Sequence, residues 1–519
     1  DAVTFICVLN ACGSVKSLEM GEEIHAEVNK QGLLKKKIGL GNALVDMYAK
    51  CNVLIKAQEV FNTLPMRDVV SWNTIITGYV QHGFNEEALN CFCQMQDEGV
   101  SPNAVTFICI LRACSTMGDI ERGEKIHEEI ANRGLLRKNI VLGNSLIDMY
   151  VKCGMLAKAE AVLKELTIRD VVSWSSLIDG YAQQGRCHEA LRCFRQMQSE
   201  GFSPNAVTFI CILRACGSTG AIAKGKEIHD EIVNRGFLLK DITLGTSLVD
   251  MYAKCGALGK AQQVLEELPV RDVVAWNAMI SGYAQQKQGE VALNCFQWMQ
   301  SEGMNPNAVT FLCLLKACGS IGAIDEGKQI HNDIVSKELL EANDALGNAL
   351  VDMYAKCGLL RKAQELHDHL VVRSLVSWNT LINGYAQQGH GHEALNCFEQ
   401  MKNEGLIPNG ITFLCVMSAC NHSGLLKETQ TYYENMSKKY GIIPKIEHHT
   451  CMVIIFGCAG CFDKAISIMK TMTCFNDPSV WLALLGACRK WKNVKLARRA
   501  FEYSLRLHEK HICICQNAN

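Results

Sequence analysis

The apolar positions of this chain fall into paired helical tracts that recur from end to end. In Val69–Asn103, Trp72, Ile75, Ile76 and Tyr79 stand at i, i+3, i+4 and i+7, one face of a helix. His82-Gly83-Phe84-Asn85 reads as a turn, and Asn85 is expected to cap the helix that follows. Ala88, Phe92 and Met95 mark that second helix; Gly99 suits a left-handed C-terminal position and Pro102 stops the run. The segment therefore predicts a helix hairpin. Ala104–Asn139 repeats the pattern, with Phe107, Ile110, Leu111 and Cys114 on the first helix and Ile126 and Ile130 on the second, which ends at Gly134. Ile140–Asp170 is the shortest version. Leu146, Ile147 and Tyr150 precede the turn Lys152-Cys153-Gly154, and Ala159, Val162, Leu163 and Leu166 follow it.

These hairpins keep a fixed ruler. Trp72 recurs as Trp174, Trp276 and Trp378, each step 102 residues. Phe5, Phe107, Phe209, Phe311 and Phe413 share the step, as do Gly41, Gly143, Gly245 and Gly347. Copies in register without insertion or deletion mean a repeat array. Each block divides into units of 35, 36 and 31 residues. The ruling is 2–37, 38–68, 69–103, 104–139, 140–170, 171–205, 206–241, 242–272, 273–307, 308–343, 344–374 and 375–409. Residues 1–409 thus form the regular array, and 410–477 holds two divergent units. Residues 478–511 read as another helix pair, in which Trp481 and Cys488 keep the spacing of Phe107 and Cys114; 512–519 shows no pattern. About fifteen stacked hairpins make an all-α solenoid.

The array removes a difficulty of size. A chain of 519 residues is too long for one ordinary core, but each repeat packs only on its neighbours. No apolar run approaches the roughly 18 residues of a membrane span. The chain opens at Asp1 inside a repeat, so a targeting peptide is expected to lie outside this text. Lys plus Arg is 52 and Asp plus Glu 53. The net charge of −1 argues against grip on nucleic acid mainly by phosphate neutralisation, while leaving room for a base-reading groove with local positive charge.

The 27 cysteines also obey the ruler. Four registers, beginning at Cys7, Cys12, Cys51 and Cys91, account for 18 of them. Each lies among apolar residues at helical spacing, as small buried hydrophobes do, and the odd total fits a reduced compartment.

The quoted motifs carry a family resemblance. Val-Val-Ser-Trp-Asn at 69–73, Gly-Asn-Ala-Leu-Val-Asp-Met-Tyr-Ala-Lys-Cys-Gly at 347–358 and Leu-Lys-Ala-Cys-Gly at 315–319 resemble the P, S and L motifs of plant pentatricopeptide repeat proteins of the PLS subclass. Glu447-His-His and Val480-Trp481 with Leu484-Leu-Gly-Ala-Cys488 are similar to the modified final S motif and first E motif of that subclass. The resemblance implies a right-handed α-solenoid superhelix with the first helix of each unit on the concave side. It implies sequence-specific binding of single-stranded organellar RNA as a specificity factor for RNA processing, commonly cytidine-to-uridine editing. The compartment expected is the mitochondrion, with the chloroplast as the alternative. The deaminase would come from another chain or from a C-terminal extension, since this chain ends where the family's deaminase-like domain could begin.

In the family, the fifth and last residues of a unit face one RNA base. In the 35-residue units the fifth places hold Asn73, Ser175, Asn277 and Asn379, and the last places Asn103, Asn205, Asn307 and Asn409. In the 31-residue units they hold Asn42, Asn144, Thr246 and Asn348, then Asp68, Asp170, Asp272 and Ser374. Aspartate only accepts, so it suits the ring N–H of uracil or guanine; Asn or Ser can donate to the ring nitrogen of cytosine or adenine. The resemblance adds that Thr or Ser at the fifth place favours purines and Asn pyrimidines. Ile108, Ile210 and Leu312 hold the fifth place of the long units and cannot hydrogen-bond a base, so those units read as spacers. The implied target is 5′-U-Y-n-U-A-n-G-Y-n-C-Y-3′. A last-place Asn or Asp is also a common helix cap, and the two roles can coexist. Trp72 and its copies read as packing residues.

Enzyme-like patterns are weak. His25-Ala-Glu27, His127-Glu-Glu129 and His229-Asp-Glu231 match the H-x-E of zinc deaminases, but recur on one helix register and read as a repeated surface. Cys458-Ala-Gly-Cys461 lacks the preceding proline and falls in a hairpin turn, and Cys513-Ile-Cys515 is too tightly spaced for paired ligands. The sequence therefore predicts no catalytic residue, metal site or cofactor, and no membrane association. The competing reading is a protein-binding helical scaffold of the tetratricopeptide type.

Overall fold

The structure, a computed structural model, describes residues 2–34, 37–137, 139–238, 241–340, 343–471, 478–491 and 493–504. Among them lie α-helices, one 3₁₀ turn at Leu135–Arg137, and no strand. The helices fall where the ruling places them: Val69–Gln81 with Asn85–Asp97, Ala104–Met117 with Ile120–Asn132, and Ile140–Lys152 with Leu156–Glu165. The divergent units keep the same form, through Ile446–Cys458 and Phe462–Thr471. Pro478–Lys490 is followed by helical residues 494–504, while Cys513-Ile-Cys515 and the tail 512–519 lie outside the described residues. None of the described helices is long and apolar enough to cross a membrane.

The chain divides into two units, Asp1–Val270 and Arg271–Asn519. Within each, successive first helices pack side by side, and each second helix packs on its own partner and on the next first helix. Each unit is therefore an α-solenoid, in which a hairpin buries its apolar faces against its neighbours. Phe107, Ile110, Leu111 and Cys114 are fully buried, and so are Ala88 and Met95. Trp72, Trp174 and Trp378 are among the largest fully enclosed side chains, which makes them packing residues as expected.

Three details position the loops between units. A Cβ at Gly143 would stand 2.5 Å from Leu166 Cδ2, so this glycine lets the loop leucine seat against the helix start. Arg67 donates to the carbonyls of Phe61 and Asn62 at a helix C-terminus and pairs with Glu98 at 2.6 Å. Arg169 repeats this with Leu163, Lys164 and Glu200. Such half-exposed pairs contribute little energy, about 1 kcal/mol or less, but they fix the residue that follows, which is a unit's last.

Two expectations are corrected. Asn85 does not cap its helix; it is the first helical residue, buried, and the N-cap is Phe84 without a side-chain bond. The cysteines are also less uniform than expected. The Cys12 and Cys91 registers are buried throughout, but the Cys51 register is half-buried and Cys7 is exposed. Those half-buried thiols sit at helix C-caps, where the turn reaches solvent.

Candidate nucleic-acid interface

Every last-place residue singled out in the sequence is the N-cap of the next unit's first helix. Asn103 accepts from Thr106 N at 3.1 Å and Asn205 from Thr208 N at 2.9 Å. Asn307 and Asn409 do the same with Thr310 and Thr412. Asp68 accepts from Ser71 N and Asp170 from Ser173 N at 2.8 Å. Asp272 accepts from Ala275 N, and Ser374 from Ser377 N. A helix leaves its first N–H groups unsatisfied, and a short polar side chain in extended backbone is the residue that meets them.

The fifth-place residues lie beneath these caps. Asn42, Asn73, Ser175, Thr246, Asn277 and Asn379 are buried, and Asn144 and Asn348 half-buried. Asn73 Nδ2 donates to Asn103 Oδ1 at 3.1 Å, and Asn277 Nδ2 to Asn307 Oδ1 at 3.2 Å. Asn144 Nδ2 reaches both Asp170 oxygens at 3.3 and 3.4 Å. Ser175 is shorter and turns down instead, sharing a 2.7 Å bond with the buried Thr208 hydroxyl. The structure thus brings fifth and last places together at 42/68, 73/103, 144/170 and 277/307, whereas Ser175 and Asn205 meet through Thr208.

Capping settles which atom faces outward. In Asn103, Oδ1 is occupied by Thr106 N, Thr106 Oγ1 and the Asn73 amide, so Nδ2 is turned away from the helix as a donor. In Asp170, Oδ1 takes the Ser173 bonds and leaves a second oxygen as an acceptor. Partial burial pushes the Asp68 and Asp170 carboxyls up. Hydrogen bonds from the following serines and from Asn42 and Asn144 more than offset this and hold both below the usual carboxylate range. They remain charged acceptors at neutral pH.

Some buried oxygens stay unsatisfied. Oδ1 of Asn42, Asn277 and Asn379 has no hydrogen-bond partner, whereas Oδ1 of Asn73 accepts from Thr106 at 2.6 Å. An unpaired buried acceptor costs roughly 1–3 kcal/mol, which a ligand or water donating there would relieve.

Sequence reasoning missed a row of apolar side chains beside the caps. Val70, Val105, Val172, Val207, Val274, Val309, Val376 and Ile411, the second residue of their helices, are all more than half exposed, from 51% at Val105 to 62% at Val376. The signal was available: an apolar residue next to a cap, repeated on the 102-residue ruler. It was absorbed into the core pattern because its neighbours are apolar too.

The H-x-E repeats are corrected from a repeated surface to half-buried contacts between units. Nδ1 of His25, His127, His229 and His331 bonds the hydroxyl of Tyr48, Tyr150, Tyr252 and Tyr354 at 2.8 to 3.0 Å. Burial lowers the pKa of each of these imidazoles. A lowered folded-state value means the unfolded chain takes up protons first. Their stabilisation is therefore complete above about pH 6.5 and is lost as pH falls below it. Thermal melts at pH 7.5 and 5.5 are expected to show this loss, and a variant with all four histidines changed to Gln a shallower one. Cys458 and Cys461 flank a hairpin turn as expected, and no group of three or more His, Cys, Asp or Glu poised for a metal occurs among the described residues.

Comparison with known proteins gives the same frame. The PPR repeat family model matches residues 67–116, 169–218, 271–320 and 373–422. A second PPR repeat model matches 144–171, 246–273, 348–375 and 447–476. A chloroplastic pentatricopeptide repeat-containing protein of Arabidopsis thaliana is 36% identical over 96% of this chain, which spans 61% of that relative's length. A mitochondrial one from the same plant is 36% identical over 99% of this chain and 67% of its own. The crystal structure of the pentatricopeptide repeat protein PPR10 in complex with an 18-nt psaJ RNA element has a TM-score of 0.58 at 18% identity, covering 98% of this chain and 80% of PPR10, a likeness of fold.

Proposed function

This chain belongs to the pentatricopeptide repeat family, and from that premise we propose that it binds single-stranded RNA in a sequence-specific manner, one base to each 35- or 31-residue unit. The observation that carries this reading is the hydrogen bonding of fifth-place side chains to the caps at 73/103, 144/170 and 277/307, which uses Oδ1 of each Asn cap and leaves its Nδ2 on the side away from the helix. Where the cap is Asn the outward atom donates; where it is Asp the outward atom accepts. A donor suits N3 of cytosine or N1 of adenine, and an acceptor suits the ring N–H of uracil or guanine. The short Ser175, turned down onto Thr208, leaves more room above it than Asn73 does, which favours a two-ring base. The exposed valines beside the caps offer apolar surface to base faces.

The finer reading is a PLS-subclass protein with an E-motif-like end, acting in a mitochondrion or chloroplast. It would be an adaptor without catalytic residues of its own, placing a cytidine before a deaminase supplied in trans or by a longer chain. Its relatives include chloroplastic and mitochondrial proteins, which supports an organelle. The peptide-scaffold reading has less behind it, because a peptide groove has no use for alternating Asn, Ser and Thr beneath caps.

The test is Ser175→Asn, read by fluorescence anisotropy on single-stranded RNAs that carry A or C at the base assigned to that unit. Preference is expected to move from A toward the pyrimidine, by about tenfold if one hydrogen bond decides it. Equal binding of all RNAs by both proteins would leave the caps a purely structural role.

A further inference from the structure

The exposed face of the first helices continues beyond the valines. In Ala104–Met117, Val105, Ile108, Arg112 and Thr116, about one per turn, are exposed or half-buried along one side of the helix. Arg112 lies about 10 Å further along the axis than Val105, on the same side. The 102-residue ruler places Arg214 and Lys316 at this position in the next two long units. The corresponding position elsewhere is different. In the 31-residue units it is an aspartate already paired with the lysine one turn on: Lys50–Asp46, Lys152–Asp148, Lys254–Asp250 and Lys356–Asp352, at 2.6 to 2.8 Å. In the 35-residue units it is Thr77, Asp179, Ser281 and Asn383.

Two of the long units, those of Arg112 and Lys316, therefore supply uncompensated positive charge on this face, while the first and last long units hold Asn10 and Ser418 there. Arg112 and Lys316 are exposed and have no carboxylate partner among the described residues. Arg214 is the exception, held by Asp179 at 2.7 Å. A net charge of −1 for the whole chain conceals this arrangement, because the acidic excess lies elsewhere.

We propose that the long units are not spacers: Arg112 and Lys316 bind phosphodiester groups of the RNA strand between the base-reading units, and Arg214 is the same site muted by Asp179. This rests on the RNA reading above and adds to it a separate electrostatic component. A phosphate contact is sequence-independent and releases counterions, so it shows in salt dependence rather than in base preference.

The experiment uses the full chain and the target RNA, with affinity measured between 50 and 200 mM salt. Arg112→Gln combined with Lys316→Gln is expected to make the log–log salt slope shallower by about 1.4, at about 0.7 per contact. That is roughly a sevenfold smaller loss of affinity across the range, with the preference at each base unchanged. Asp179→Asn should act in the opposite sense, steepening the slope by about 0.7 as Arg214 is released. All four side chains are exposed or half-exposed, so the variants are expected to fold. Unaltered slopes with base preference intact would overturn the phosphate sites and leave base reading standing. Altered slopes in a protein with no base preference would do the reverse.

Discussion

Replacing Asn205 by Asp is expected to switch the preferred base at its unit from adenine to guanine while leaving thermal stability unchanged. Asn and Asp are equally good N-caps, and a carboxylate at a helix N-terminus is, if anything, favoured by the helix dipole. Oδ1 would keep its bonds from Thr208 N and Oγ1, both at 2.9 Å. What changes is the outward atom, from an N–H donor to an oxygen acceptor. Adenine N1 would then face an acceptor, and guanine N1–H would find one. An unpaired polar group at a closed contact costs roughly 1–3 kcal/mol, so the swing should be about 5- to 150-fold. Anisotropy on paired A and G oligonucleotides checks the switch, and a melt of the same protein checks the cap. Asn205→Ala gives the contrast: loss of about 1 kcal/mol together with loss of preference. If Asn205→Asp left A and G bound as before, capping would be the whole role of that residue.

Trp174→Ala is expected to cost about 3–5 kcal/mol, the range for removing a large buried aromatic. Trp174 is 2% exposed and packs in a site shared with Leu163, Leu177 and Cys193. Because the array is quasi-one-dimensional, the loss should be local. Hydrogen exchange should show the hairpins from 140 to 205 opening while those before residue 104 keep their protection. Trp174→Phe should be far milder, since Trp174 Nε1 is buried without a partner and the phenyl ring retains most of the packing. A base-stacking tryptophan would give the opposite pattern, with weaker RNA binding and an unchanged melt.

The hairpins were legible because the chain repeats itself. A period that survives four copies removes the ambiguity of any single apolar run, and boundaries set by Pro102, Gly99 and their copies met the helix ends. The site was legible only in outline. Residue type alone could not separate cap from base reader, since Asn and Asp serve both; the structure shows the capping, to which the proposed base contact would add. The histidine–tyrosine bonds join residues 23 apart in sequence across two hairpins, beyond the reach of any local pattern. Arg112 was hidden by averaging, because a whole-chain charge says nothing about one face of one helix.

The placement of the caps bears on how such an array can be cut and rebuilt. Asn103 ends one unit yet caps the first helix of the next, with Asn73 bonded to it from the unit before. The proposed module of recognition is thus offset from the module of folding, and it spans a joint. On that proposal a reader would need a unit after it: the Asn409 side chain is held by the start of the helix Gly410–His422. Shuffling units at their sequence boundaries would keep each fifth-place residue with its own last-place residue but seat that cap on a foreign helix start. Exchanges made between the two helices of a hairpin would carry each fifth-place residue away from its own cap. Transplanting a base preference intact requires moving both residues together with the helix start that orients them.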